Sequence, residues 1–173
     1  MERAPWLILL ALALIPVGEA IYVHARLPET IPTHFDGQGR ADDYGSKTPY
    51  CIIAALVPTI AGLLLLPYLF LASPTCIGSP LFRLPNKDYW AAPERIEATV
   101  RFVRRQHLWF VVATMGLMLV VSHTALRSAA TGRGPTGGQL LMVMGGYLAV
   151  VALGMVRFIA HFRAANITAD GGR

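Results

Sequence analysis

Four apolar stretches, each close to twenty residues long, constrain this chain more than any other feature of its sequence. They run from about Pro5 to Val23, Tyr50 to Ala72, Leu108 to Leu126 and Gln139 to Ala160. A hydrocarbon core about 30 Å thick is crossed by about 20 apolar residues in a helix, which satisfies its backbone hydrogen bonds internally. The pattern therefore predicts an all-α integral membrane protein with four transmembrane helices in a single domain. Composition agrees. Apolar residues make up 54% of the chain and charged residues 14%, against roughly 45–50% and about 25% in soluble domains. The first stretch has one competitor, a signal peptide with Arg3 ahead of it and Gly18-Glu19-Ala20 near a cleavage position. Its weakly basic start and the awkward Glu19 favour a retained span.

Between the spans lie a loop at 24–49, a longer one at 73–107 and a short Gly-rich one at 127–138. The net charge is +5, yet no basic stripe interleaved with aromatic residues points to nucleic acid. The basic residues sort by loop instead. Arg3, Arg83, Lys87, Arg95, Arg101, Arg104, Arg105, Arg157, Arg163 and Arg173 fall on one side, and Arg26, Arg40, Lys47, Arg127 and Arg133 on the other. Positive residues collect in the cytoplasm, so both termini and the 73–107 loop are expected there, with 24–49 outside. Cys51 and Cys76 flank the second span, about 37 Å apart along a helix of 1.5 Å rise. They are expected to be free thiols, since a disulfide needs Cα atoms within about 7 Å.

The stretch 93–107 reads as a further, amphipathic helix on the cytoplasmic side. Pro93, Glu94 and Glu97 suit its start, Arg101, Arg104 and Arg105 its end, and Ile96, Val100 and Val103 recur at helical spacing. It either lies on the membrane surface, with Tyr89, Trp90 and Trp109 as interfacial anchors, or extends the third span into solvent. Pro58 and Pro67 are expected to kink the second span.

In the 24–49 loop, Pro28 and Pro32 enforce extended backbone, and Gly37, Gly39 and Gly45 permit tight turns. The loop is expected to be ordered. Its run Ile31-Pro-Thr-His-Phe35, then Gly39, then Asp43-Tyr-Gly-Ser-Lys47 closely resembles domain of unknown function 1648 over about residues 10–70. That domain forms the N-terminal part of bacterial SdpI-type immunity proteins and of many uncharacterised membrane proteins. A looser likeness continues through Leu84-Pro-Asn-Lys-Asp-Tyr-Trp90 and Ala92-Pro-Glu-Arg95. The resemblance implies a bacterial cytoplasmic (inner) membrane protein, and immunity to an extracellular peptide toxin by analogy alone.

Ionisable groups at membrane depth are costly and usually partnered. Glu19, near the outer end of the first span, and His123, near that of the third, are the expected pair, with His34 as a possible third member. Snorkelling of either to the interface is the competing reading. Glu19, His34, Phe35, Asp36, Asp43, Tyr44, Lys47 and His123 are the candidate ligand- or partner-binding residues. Lys47 and Arg26 also suit anchoring of the loop over the lipid. No metal or other cofactor is expected; His24, His34 and Asp36, with Asp42 and Asp43, are weak metal candidates that read first as turn chemistry. In the fourth span, Gly145, Gly146, Ala149 and Gly154 provide small-residue spacing for close helix packing, within the bundle or against another subunit.

No catalytic motif is present. The leading expectation is a non-enzymatic membrane protein of immunity-like or sensory type that works through its outer loop. A structural or accessory subunit of a larger complex is the alternative. An enzyme or transporter using Glu19, His34 and His123 is the third.

Overall fold

The computed structural model describes residues 4–80 and 82–163. In chain order it contains α1 (Ala4–His24), β1 (Thr30–Phe35), β2 (Ala41–Ser46), α2 (Lys47–Leu65), α3 (Tyr68–Leu71), α4 (Pro74–Gly78), α5 (Lys87–Trp90), α6 (Ile96–Thr131) and α7 (Gly137–Arg163). The protein is mostly helical, with four helices long and apolar enough to cross a membrane: Ala4–His24, Lys47–Leu71, Ile96–Thr131 and Gly137–Arg163. Their apolar side chains are largely exposed, as expected of helices whose solvent is lipid. The 24–49 loop adds a two-stranded antiparallel sheet. Contacts divide the described residues into two compact units, one from residues 4–64 and 112–148, the other from 65–80, 82–111 and 149–163.

In the first unit, β1 pairs with β2 from Thr30↔Ser46 to Phe35↔Ala41, with irregularities on either side of His34. Ile31 is the hairpin's anchor. It is completely buried, in a cluster with Ala20, Leu27, Cys51, Ala54, Leu126 and Ala129. Burying one such side chain stabilises by about 1.5–3 kcal/mol. At the same open end of the hairpin, Lys47 begins α2. Its backbone N–H donates to the Glu29 carbonyl (3.1 Å) and its Nζ to the Leu27 carbonyl (2.9 Å), with Glu29 Oε1 also at 3.1 Å. Arg26 folds back on α1, its guanidinium 3.5 Å over the Tyr22 ring and bonded to the Tyr22 carbonyl. Lys47 thus fastens the base of the hairpin, whereas Arg26 contacts only α1.

The turn joining α6 to α7 completes this unit. Gly132 closes α6 in the left-handed region (φ 68°), its N–H bonded to the Ser128 carbonyl. Thr136 and Gln139 form a reciprocal capping box that starts α7. Between them, Gly134 N–H donates to the Gly39 carbonyl at 2.9 Å, and Arg133 bridges to Arg40. Deeper along the same helices, the hydroxyls of Thr114 and Tyr147 lie 3.1 Å apart.

In the second unit the chain negotiates a break. Pro67 has no N–H to continue the helix, so α2 stops at Leu65, whereas Pro58 is accommodated inside it. Leu69 N–H bonds one residue short, to the Leu66 carbonyl. The carbonyl of Leu65 is thereby left over, and His107 Nε2 donates to it at 2.9 Å. The segment 96–107 is the beginning of a helix that continues without interruption to Thr131. Its 36 residues reach about 54 Å, well beyond a core of about 30 Å. Of the two readings of 93–107, the extension of the third span is the one found. Its apolar face is covered by protein: Val100 and Val103 pack with Ala72, Ile77, Leu84 and Phe162. Trp90, one of the candidate interfacial anchors, packs at the end of α7. Trp90 Nε1 and Asn86 Nδ2 each donate to the Phe162 carbonyl at 3.0 Å, and the His161 ring stacks on Phe102 with centroids 3.7 Å apart. Cys51 and Cys76 are both free.

Candidate functional site

The site is built where the hairpin meets the ends of α1, α6 and α7. Glu19 on α1 and His123 on α6 come together, Glu19 Oε1 lying 2.6 Å from His123 Nδ1. The carboxylate is the less exposed partner, at 22% against 55% for the imidazole. Each group supplies what the other lacks away from water. His34 does not join them. Its Nδ1 lies 2.6 Å from Oδ1 of Asp42 on the neighbouring strand, an arrangement made possible by the irregular pairing around His34.

Asp36 shapes the turn between the strands. Its Oδ1 accepts the backbone N–H groups of Gln38 and Arg40, both at 2.9 Å, and its Oδ2 accepts Arg40 Nε at 2.8 Å. The Arg40 N–H first, and then the Arg40 side chain, hold the Asp36 carboxyl below its ordinary value. A lowered folded-state value means that this contribution is fully present above the ordinary carboxylate range and is lost as pH falls through the folded value. Acidification should therefore loosen the turn, read as movement of the Gln38 and Arg40 amide resonances below about pH 4. In Asp36→Asn that response should be absent. An unchanged acid response in the variant would refute this role for Asp36.

Glycine has different uses in this loop. Only Gly39 takes a positive φ, 78°, so it alone supplies the left-handed turn residue. Gly45, expected in a turn, lies within β2, where a Cβ would stand 3.1 Å from Thr33 Cγ2. Gly134 admits the Phe35 side chain; a Cβ there would come within 2.6 Å of Phe35 Cβ. The remaining candidates are more dispersed. Tyr44 is exposed, and Asp43 Oδ1 accepts the adjacent Tyr44 N–H. His24 Nε2 sits 3.1 Å from Thr48 Oγ1. His24, His34 and Asp36 thus have separate partners, and among the described residues no three His, Cys, Asp or Glu side chains are grouped to hold a metal ion.

These elements border an open groove of about 1190 Å³. Thr33, His34 and Phe35 line it from the hairpin, and His123, Arg127 and Ser128 from α6. Arg133 and Pro135 from the connecting turn, and Gln139, Leu140, Met142 and Val143 from α7, complete much of its wall. Arg127 and Arg133 are the members that sequence reasoning missed, having been weighed only as indicators of orientation. No local signal marks them, because the groove is assembled from segments about a hundred residues apart.

The fold and this site define a multi-pass membrane protein whose first two spans embrace a packed β-hairpin. Residues 11–57 match the family model for Domain of unknown function (DUF1648). The chain therefore carries that domain, which takes in most of α1, the whole hairpin and the first half of α2. No curated protein and no solved structure matches the chain.

In this light the residues of the motif divide by task. Ile31, Gly39, Gly45 and Lys47 build and fasten the hairpin, through burial, a positive φ, a close strand approach and a clamp on the Leu27 carbonyl. His34, Asp43 and Tyr44 are left at the surface.

Proposed function

We propose that this is a non-enzymatic protein of the bacterial cytoplasmic membrane, of immunity-like or sensory type, that binds a ligand or partner at its hairpin end. The observation that carries the reading is the groove beneath the hairpin, polar and positively charged at one end and walled by parts that are individually fixed. The imidazoles of His34 and His123 are each engaged by a carboxylate, which suits a preorganised binding surface. The hairpin end faces outward and both chain termini face the cytoplasm in this reading, following the balance of basic residues. Arg3 and Arg173, which enter that balance, lie outside the described residues. A deletion strain should be more sensitive than its parent to extracellular peptide toxins or to envelope stress, with resistance restored by the intact gene. A strain unchanged under both challenges would overturn the proposal.

One observation favours the alternative, an accessory subunit of a larger assembly. Gly145, Gly146 and Ala149 are exposed on α7, and a Cβ placed on either glycine would meet nothing within 4 Å. The small-residue spacing is therefore not used within the described chain, and it is open to another helix. Gly154 differs, facing Gln106, whose Nε2 donates to the Gly154 carbonyl at 3.0 Å. Partner subunits retained in mild detergent are the observation that would favour this second reading.

A further inference from the structure

The acidic side chains of the first unit can be accounted for completely among the described residues. Glu19 holds His123, Glu29 holds Lys47, Asp36 holds Arg40 and Asp42 holds His34. Asp43 turns onto the adjacent Tyr44 N–H. Among the described residues no carboxylate is paired with Arg127 or Arg133, and the lining of the groove contains none. Among those residues, two guanidinium groups thus stand on one concave surface without an anionic partner.

The groove also changes character along its length. On α6 its wall passes from Val120 and Val121 to Arg127, Ser128 and Thr131 toward the connecting turn. On α7, running the opposite way, it passes from Gln139 beside that turn to Leu140, Met142 and Val143. Both helices are therefore polar at the same end and apolar at the other. A soluble anion would use only the first half. An acidic peptide would leave the apolar half, set within a membrane span, without a counterpart.

We infer that this groove seats an anionic phospholipid, with its phosphate at Arg127 and Arg133 and an acyl chain against Val120, Leu140 and Val143. This rests on the proposed reading of the hairpin end as a binding surface, and it names the chemical class bound. Arginine is suited to the headgroup, since its planar fork donates two parallel hydrogen bonds to phosphate oxygens. Gln139 flanks the same end, and its Nε2 can donate to a remaining oxygen, while the Thr131 hydroxyl is given to the Arg127 carbonyl. The hairpin contributes His34 and Phe35 to the wall, so an occupied groove would be sensed directly by the domain that carries the family signature.

Native mass spectrometry of the full chain, exchanged from detergent against phosphatidylglycerol or phosphatidylcholine, tests the assignment. The wild-type protein should retain phosphatidylglycerol preferentially. The double variant R127Q/R133Q should bind it about tenfold or more weakly, the loss expected for a pair of charge-assisted contacts. Arg26→Gln, which removes a guanidinium committed to Tyr22, should bind as wild type does. Val143→Trp keeps both arginines and fills the apolar half; it too should lose the lipid, which guards against a misfolded arginine variant. Equal retention of both lipids, or equal binding by all variants, would overturn the inference. So would complete displacement by inorganic phosphate or by a short polyglutamate peptide. Lost lipid selectivity alongside a toxin-sensitive deletion strain would overturn this assignment alone. Selective binding in a protein whose deletion has no phenotype would support it and overturn the proposed function.

Discussion

Replacing Gly39 with alanine should unseat the hairpin from the α6–α7 turn while leaving the four long helices formed. Two penalties act at the same position. The residue holds φ at 78°, where a side chain costs about 1–2 kcal/mol relative to the right-handed region. The added Cβ would also stand 2.7 Å from the Gly134 carbonyl oxygen, a backbone atom that cannot rotate away as a flexible side chain could. Relief requires the two turns to separate, which breaks the 2.9 Å bond from Gly134 N–H to the Gly39 carbonyl. A total near 2–4 kcal/mol is expected, from the φ penalty and one lost buried hydrogen bond. Hydrogen exchange is the direct measurement. Amides of residues 30–46 and of Gly134 should exchange much faster in Gly39→Ala, and those within α6 and α7 should stay protected. Gly37→Ala is the matched control, because a Cβ there meets nothing within 4 Å. Equal protection of the hairpin in the two variants would show that Gly39 does not hold this junction.

The sequence announces some of this architecture and conceals the rest, for physical reasons that can be named. Helices that cross a bilayer are read from the length of an apolar run alone, and α1 and α7 begin and end within a few residues of the expected limits. The hairpin is harder. Ala41-Asp-Asp-Tyr-Gly-Ser46 has no alternation of apolar and polar residues and carries turn-forming side chains throughout, so nothing local signals a strand. What makes it one is pairing to β1 and the burial of Ile31 against α1, α2 and α6. Order in the loop was legible from its prolines and glycines, but strand pairing was not.

A similar division holds for the site. Glu19 and His123 could be paired across more than a hundred residues because a polar group in a span has few possible partners. His34 sits outside the spans, where partners are plentiful, and it takes Asp42 across the hairpin. The contact of Gly39 with Gly134 has no sequence signature, since glycine reports only that space is needed and not what fills it. In the second unit, the apolar spacing of Val100 and Val103 correctly implied a helix with a buried face. It did not distinguish lipid from protein as the cover, and the aromatic cluster around Phe162 supplies the answer.

The Glu19–His123 pair should show the second large effect, with an asymmetry that follows from exposure. Removing either partner forfeits one hydrogen bond involving an ionisable group, worth about 1.5–3 kcal/mol. The cost of the group left behind differs. In Glu19→Ala the surviving imidazole is more than half exposed and can turn toward polar surroundings. In His123→Ala the surviving carboxylate is about one-fifth exposed, at a depth where no solvent readily replaces the lost contact. His123→Ala should therefore be the more destabilising change, and the double variant should be closer to Glu19→Ala than to the sum of both. A coupling energy of about 1–2 kcal/mol is expected, since the partial exposure of His123 screens the pair and interactions within bilayers are often modest. Thermal unfolding of the three variants in one detergent gives the cycle, provided that each retains wild-type helicity. Additive losses would mean that the two side chains lie close without acting on each other. Greater damage from Glu19→Ala would place the buried polar liability on the imidazole. Either result would remove the reason for treating this pair as the brace between α1 and α6 on which the groove and its hairpin rest.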